Sequence, residues 1–231
     1  MTIVAIHQPN YLPWLGYFDK LARADRFVFL DDAQFTKNSY INRTRVAAGG
    51  AARWLTIPVQ VHLGDPIASV RPATTDWRRR HLDALKQFYR AAPAFDTVWS
   101  RIEAIYAGIP DSGLAAINMH LIGCIADLLR LKTPCLLSSD LGLDELKGSE
   151  RLIAICQHIA PGGTYLSGRG GVKYQDEAAF DAAGLALQYN DFDHPEYSQD
   201  GAFIAGLSML DPLFRIGPEA TAELIGGGSR P

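Results

Sequence analysis

Five times along this chain a short apolar run of strand type stops abruptly at small or polar residues, and that recurrence constrains the fold more than any other feature. Ile3 to Ile6 runs into His7-Gln8-Pro9-Asn10, and Phe27 to Leu30 into Asp31-Asp32. Cys135 to Leu137 stops at Ser138-Ser139-Asp140, Tyr165-Leu166 at Ser167-Gly168, and Leu185 to Tyr189 at Asn190-Asp191. Strands buried on both faces read as such near-continuous apolar runs, and the carboxyl ends of parallel strands form the edge where open α/β proteins hold ligands. The pattern predicts a Rossmann-like α/β fold, a mostly parallel open sheet with polar residues gathered along one edge.

The intervening segments agree with that architecture. Leu15, Phe18, Leu21 and Ala22 recur at helical spacing, so a helix over 14–23 joins the first two strands as a βαβ unit. Residues 32–50 are polar and end in Gly-Gly, 53–61 reads as a weak strand interrupted by Pro58, and 62–75 as an extended loop. From Asp76 three apolar stripes follow one another with no strand between them, the third with Ser112 as a candidate cap, which predicts a helical insertion over about 76–131. The alternation then resumes, with helices from Ser149 and over 175–182. The expectation is a single α/β domain over 1–225, with Gly-Gly-Gly-Ser-Arg-Pro at 226–231 as a disordered tail.

A chain of 231 residues, 48% apolar, is long enough for one large core. The formal net charge of −3 supplies no global basic field, so nucleic acid is not an expected partner, save a tRNA in the case of an aminoacyl donor. Cys124, Cys135 and Cys156 have neither disulfide-framework nor zinc-ligand spacing and read as buried free thiols. No apolar stretch is long enough to cross a bilayer and no basic leader opens the chain, so the expectation is a cytoplasmic protein without membrane insertion.

Candidate chemistry lies in the stops. The first loop packs His7, Gln8, Asn10, Tyr11, Trp14 and Tyr17 between a strand end and a helix start, where free N–H groups with positive partial charge suit a phosphate or carboxylate. The alternative is that the rings are simply buried and His7 satisfies an internal hydrogen bond. Asp31 and Asp32 close the second strand near Gln34, Lys37, Asn42 and Arg43; the carboxylates suit Mg²⁺, ribose hydroxyls or base catalysis, and the cations an anion. A solvated turn with a surface ion pair is the plain alternative.

Ser167, Gly168 and Gly170, with Tyr174 beyond them, form a glycine-rich loop after a strand, where backbone N–H groups can converge on phosphate, although Walker and dinucleotide spacings are lacking. His194, beside acidic groups and before Pro195, suits a general acid or base or a mere turn. Lys147 can reach the same edge. The remaining histidines have no metal-site spacing, so no metal site is assigned, and the cofactor is left unspecified.

The order of these blocks resembles the WbqC-like protein family: Ile6 to Phe18 (Ile-His-Gln-Pro-Asn-Tyr-Leu-Pro-Trp-Leu-Gly-Tyr-Phe), Phe29 to Phe35, Asn42-Arg43, Lys147 to Leu152, Tyr165 to Gly168, His194 to Tyr197, and Leu207 to Asp211. Members of that family commonly accompany genes for bacterial surface polysaccharide, especially O-antigen. The resemblance implies a biosynthetic role acting on a small-molecule substrate, an activated sugar or other phosphate-bearing donor. The reading that follows is a transferase moving a small acyl or aminoacyl-type group to a sugar-like acceptor, with His7, Asp31, Asp32 and His194 as catalytic candidates. A non-catalytic binding module and a Mg²⁺-dependent nucleotidyltransferase are the competing readings.

Overall fold

The computed structural model describes residues 1–173 and 175–226; Tyr174 and residues 227–231 lie outside it. In chain order the elements are β1 (Ile3–His7), α1 (Leu15–Arg23), β2 (Arg26–Phe29), a hairpin of β3 (Arg43–Ala48) and β4 (Ala51–Thr56), and a short pair β5 (Val59–Gln60) and β6 (Arg71–Pro72). Helices α2 (Trp77–Tyr89), α3 (Phe95–Ala107) and α4 (Leu114–Leu128) follow. Then come β7 (Cys135–Leu137), α5 (Gly148–Ile159), β8 (Thr164–Gly168), α6 (Glu177–Ala182), β9 (Ala186–Asn190) and α7 (Leu210–Glu223).

The five apolar runs are the five strands of one all-parallel sheet in the order β7-β2-β1-β8-β9. The steps from β1 to β2 to β7 run one way and those from β8 to β9 the other, so the winding reverses between β1 and β8. At such a reversal the connections leave on opposite sides and open a crevice above the strand ends.

Alternation along each strand sorts its side chains between two layers. Val4, Ile6, Val28 and Tyr165 pack with Ile155 and Cys156 of α5 and Phe180 of α6. Ala5, Phe27, Phe29 and Leu166 face the larger core, where α1 joins the helical insertion and α7. His7 lies two residues beyond Ala5 and therefore belongs to this second face. The three insertion helices fall where the periodicity placed them.

Three segments depart from the sequence reading. Residues 43–48, which look polar, form β3: Val46 and Thr44 point inward and are buried while Arg43 and Arg45 point outward, and Gly49-Gly50, both at positive φ, close the hairpin onto β4. The irregular stretch after Asp191 ends in α7, whose pattern is broken by non-helical Gly217 before Pro218. Ser112 is not the cap of α4, which Gly113 precedes, and α5 begins at Gly148, one residue before Ser149, whose Oγ accepts from the Asp176 N–H at 3.0 Å.

Of the cysteines only Cys156 is buried; Cys135 is exposed because β7 is an edge strand. Among the described residues no helix is long and apolar enough to cross a membrane. The tail reading at 226–231 falls outside the described residues except for Gly226, whose N–H donates to Asp19 Oδ1 at 2.9 Å.

Candidate functional site

A crevice of about 430 Å³ opens above the ends of β1, β8 and β9, at the reversal in strand order. That is within the ordinary size of a small-molecule site. His7, Trp14 and Tyr17 form one wall, and Gly168, Arg169 and Gly170 another; Phe192 and His194 close it from the segment after β9. Gly16 sits at the first turn of α1 because Phe192 rests on it: an added Cβ would lie 2.9 Å from the Phe192 ring. No side chain caps that turn, whose Tyr17 N–H donates back to the Trp14 carbonyl at 3.0 Å, and its positive end borders the crevice.

His7 is a neutral imidazole. Its Nδ1 lies 3.1 Å from the Gln8 carbonyl oxygen, which can only accept, so Nδ1 carries the proton and Nε2 is left as an acceptor. Burial against the Tyr17 ring, 4.7 Å away, and the nearby Lys20 charge lower its pKa to about 3. Nε2 of the neutral ring therefore cannot donate to a developing negative charge.

Lys20 is the group that sequence reasoning missed. It is almost completely buried on α1, lines the crevice, and makes one hydrogen bond, from Nζ to the Ile6 carbonyl at 2.8 Å. Among the described residues no carboxylate pairs with it. Desolvation lowers its pKa to about 7. The helical stripe of Leu15, Phe18 and Leu21 gave no sign of this, because a lysine between apolar positions reads as solvent-facing. Arg169, by contrast, is tied by Asp191 and Asp193, so its charge is already neutralised within the protein.

His194 is half-buried, and its pKa is lowered by burial and by the Arg169 charge. Its segment is pinned by Tyr197, which donates to the buried Asp211 Oδ2 at the start of α7 at 2.7 Å. Asn190, at the end of β9, accepts from Arg23 at 2.6 Å and donates to the Gly16 carbonyl at 3.3 Å, fastening α1 to the far strand.

The remaining sequence candidates lie elsewhere. Asp31 is buried and accepts from Ser138 Oγ at 3.2 Å, from the Ser139 N–H at 3.1 Å and from Ser139 Oγ at 2.8 Å. Asp32 pairs with Arg151 at 2.5 Å and also accepts from Ser138. These carboxylates bind β2 to β7 and α5. With their oxygens so engaged, the geometry gives no support to a metal pair there.

Asp32, Gln34 and Lys147 line a second cleft of about 510 Å³. Tyr11 is fully buried, its hydroxyl 2.7 Å from both His81 Nδ1 and Tyr106 Oη, and Asn42 is buried with its amide on the Ile57 carbonyl at 3.0 Å. Asn10 is buried and Gln8 half-buried, contributing its carbonyl to His7 and Tyr17. Ser167 is buried and accepts from Gln175 at 2.7 Å, outside the crevice lining. Lys37 is exposed and Arg43 lies on the outer face of the hairpin. Tyr174 is outside the described residues.

A switch-point crevice in an all-parallel sheet defines the molecule as an α/β protein of Rossmann-like class. The chain belongs to the WbqC-like protein family, whose description matches residues 8–223. It is 36% identical over 224 residues to the uncharacterized protein Rv1507c of Mycobacterium tuberculosis (strain ATCC 25618 / H37Rv), covering 95% of this chain and 96% of that relative. No solved structure matches it.

Proposed function

We propose that this chain is a transferase of bacterial surface-polysaccharide (O-antigen) or related biosynthesis, moving a small acyl or aminoacyl-type group from an activated, phosphate-bearing donor to an amine or hydroxyl of a sugar-like acceptor. The observation that carries the reading is the meeting of an unprotonated His7 acceptor nitrogen and an unpaired buried Lys20 in one switch-point crevice. The acceptor heteroatom attacks the acyl carbon and releases its proton to His7 Nε2. The bond from that carbon to the donor's leaving group breaks, and the imidazolium returns the proton to the departing atom. The ammonium of Lys20 and the N–H groups of α1 hold the negative charge.

The low pKa of His7 makes it a weak base toward the acceptor but its imidazolium a ready acid toward the leaving group. An anion bound beside it raises its basicity. The polysaccharide assignment rests on the family's gene company.

The test is a thermal-shift panel of nucleotide-sugars and acyl or aminoacyl donors, followed by mass spectrometry of sugar acceptors for the added group. Lys20→Met is expected to remove the shift, and His7→Gln to keep the shift and lose the transfer. Undiminished transfer by His7→Gln overturns the assignment.

A further inference from the structure

Beside the crevice runs a stripe of rings and guanidinium groups that the proposed chemistry does not use. Trp14, which lines the crevice, packs 5.2 Å from the Tyr40 ring, and Tyr40 lies 5.5 Å from Trp54 on β4. The Arg43 guanidinium sits 4.0 Å over the Trp54 ring. In the hairpin register Arg45 stands directly opposite Trp54, so Arg43, Arg45 and Trp54 share the outward face while Val46 and Leu55 fill the inward one.

Trp54 is 47% exposed, so the ring that Tyr40 and Arg43 pack against still leaves about half its surface in water. The stripe also returns to the crevice at its far end. A Cβ placed on Gly206 would lie 3.9 Å from His194 Nε2 and 4.0 Å from Arg45 Nη1, so both side chains reach the same point.

Its charge is unbalanced. Among the described residues no carboxylate pairs with Arg43 or Arg45, whose polar contacts are the Asn38 and Ala205 carbonyls, in a chain whose formal net charge is −3. Arg43 Nε is buried and lacks an acceptor. A guanidinium stacked on an indole is held in a fixed plane, which suits it to fork onto phosphate oxygens. Aromatic faces accept a nucleobase by stacking whatever its sequence of ring atoms.

We propose that this stripe seats the nucleotide half of the donor: the base against the exposed ring system around Trp54, and the phosphates against Arg43 and Arg45, with the transferable group directed past Trp14 into the crevice. The inference rests on the transferase reading above and gives its donor a chemical class, a nucleoside phosphate. Two sources carry that chemistry, an acyl or aminoacyl adenylate and a coenzyme A thioester.

Isothermal titration of the full chain with UDP, dTDP, ADP and coenzyme A, and with a sugar 1-phosphate that has no base, separates the possibilities. At least one nucleotide is expected to bind, with affinity falling as salt rises, and to weaken about tenfold or more in Trp54→Ala and in Arg45→Ala. Trp54→Phe is expected to recover part of the loss. ADP binding more tightly than coenzyme A points to an adenylate and coenzyme A to the thioester, whereas selective binding of UDP or dTDP, the mark of a nucleotide-sugar acceptor, overturns the assignment of the stripe to the donor.

Nucleotide affinity unchanged in Trp54→Ala, or no nucleotide binding at all, overturns the proposal. A Trp54→Ala change seen only in oligomeric state or in retention on anionic vesicles does the same, assigning the stripe to a partner surface. Lys20→Met tells the two readings apart: if it removes sugar 1-phosphate binding while Trp54→Ala changes nothing, the crevice reading stands and this one falls.

Discussion

Two clefts open on the same carboxyl edge and share a wall, since the Leu30 N–H, from the lining of one, donates to the His7 carbonyl, from the lining of the other, at 2.8 Å. Their chemistry is opposite. Above β2 and β7 the charged groups answer one another, Asp31 with two serines and Asp32 with Arg151. Above β1, β8 and β9 a lysine is buried with one carbonyl for company and a histidine is held neutral. Position in the topology makes both clefts candidates, but only unsatisfied groups have binding capacity left for a ligand. Asp31 and Asp32 thus spend their charge inside the fold, and His7 and Lys20 are the groups left for the proposed chemistry.

The largest effect that would break this contrast is on turnover. His7→Gln is expected to lower the transfer rate by about a hundredfold or more, the usual size of a general-base contribution, while leaving the melting temperature nearly unchanged. Asp31→Ala is expected to do the reverse, costing about 2 kcal/mol in chemical denaturation because the Ser139 N–H and Oγ lose their acceptor while Ser138 keeps Asp32, with activity per folded molecule retained. A fully folded Asp31→Ala protein that has lost activity would move the chemistry to the second cleft.

Smaller effects appear in the pH dependence of stability. His7 and His81 are held down to about 3 and about 4 from an ordinary 6.5, both chiefly by burial. The unfolded chain takes up protons on these rings below about pH 6.5 when the folded one does not, so their contribution is full above that value and is lost as the pH falls toward 4. His81→Asn is expected to flatten that acid limb in equilibrium melts.

Lys20, lowered from 10.5 to about 7, acts at the other end: between those values the unfolded chain binds more protons, and stability rises with pH. Lys20→Met should remove the rise. Lys147→Ala, at an exposed position in the charge-balanced cleft, is the mildest change, with less than about 0.5 kcal/mol expected in stability.

The sheet was legible because its three inner strands, β2, β1 and β8, are largely buried and all five strands end in residues that cannot continue a core. The hairpin was not, since half of β3 faces water with Arg43 and Arg45, and the kink at Gly217-Pro218 hid α7. Within the candidate site, His7, Trp14, Tyr17, Gly168, Gly170 and His194 could be named because strand ends announce themselves. Lys20 could not. Its burial depends on Tyr165 and Cys156 coming from strands and helices more than a hundred residues away, a fact of packing that no local pattern carries. Tyr11 and Asn42 are the converse, polar residues near strand ends whose hydrogen bonds are spent inside the protein, Tyr11 on the insertion helices and Asn42 on the Ile57 carbonyl.

The clasp between Tyr197 and Asp211 bears on how the molecule comes into being. Arg169 holds the near end of the segment that carries Phe192 and His194, but its far end is fastened to a carboxylate at the head of α7, so a nascent chain carrying every strand of the sheet still lacks a finished outer wall. Catalytic competence should arrive late in translation, when α7 clears the ribosomal tunnel and docks.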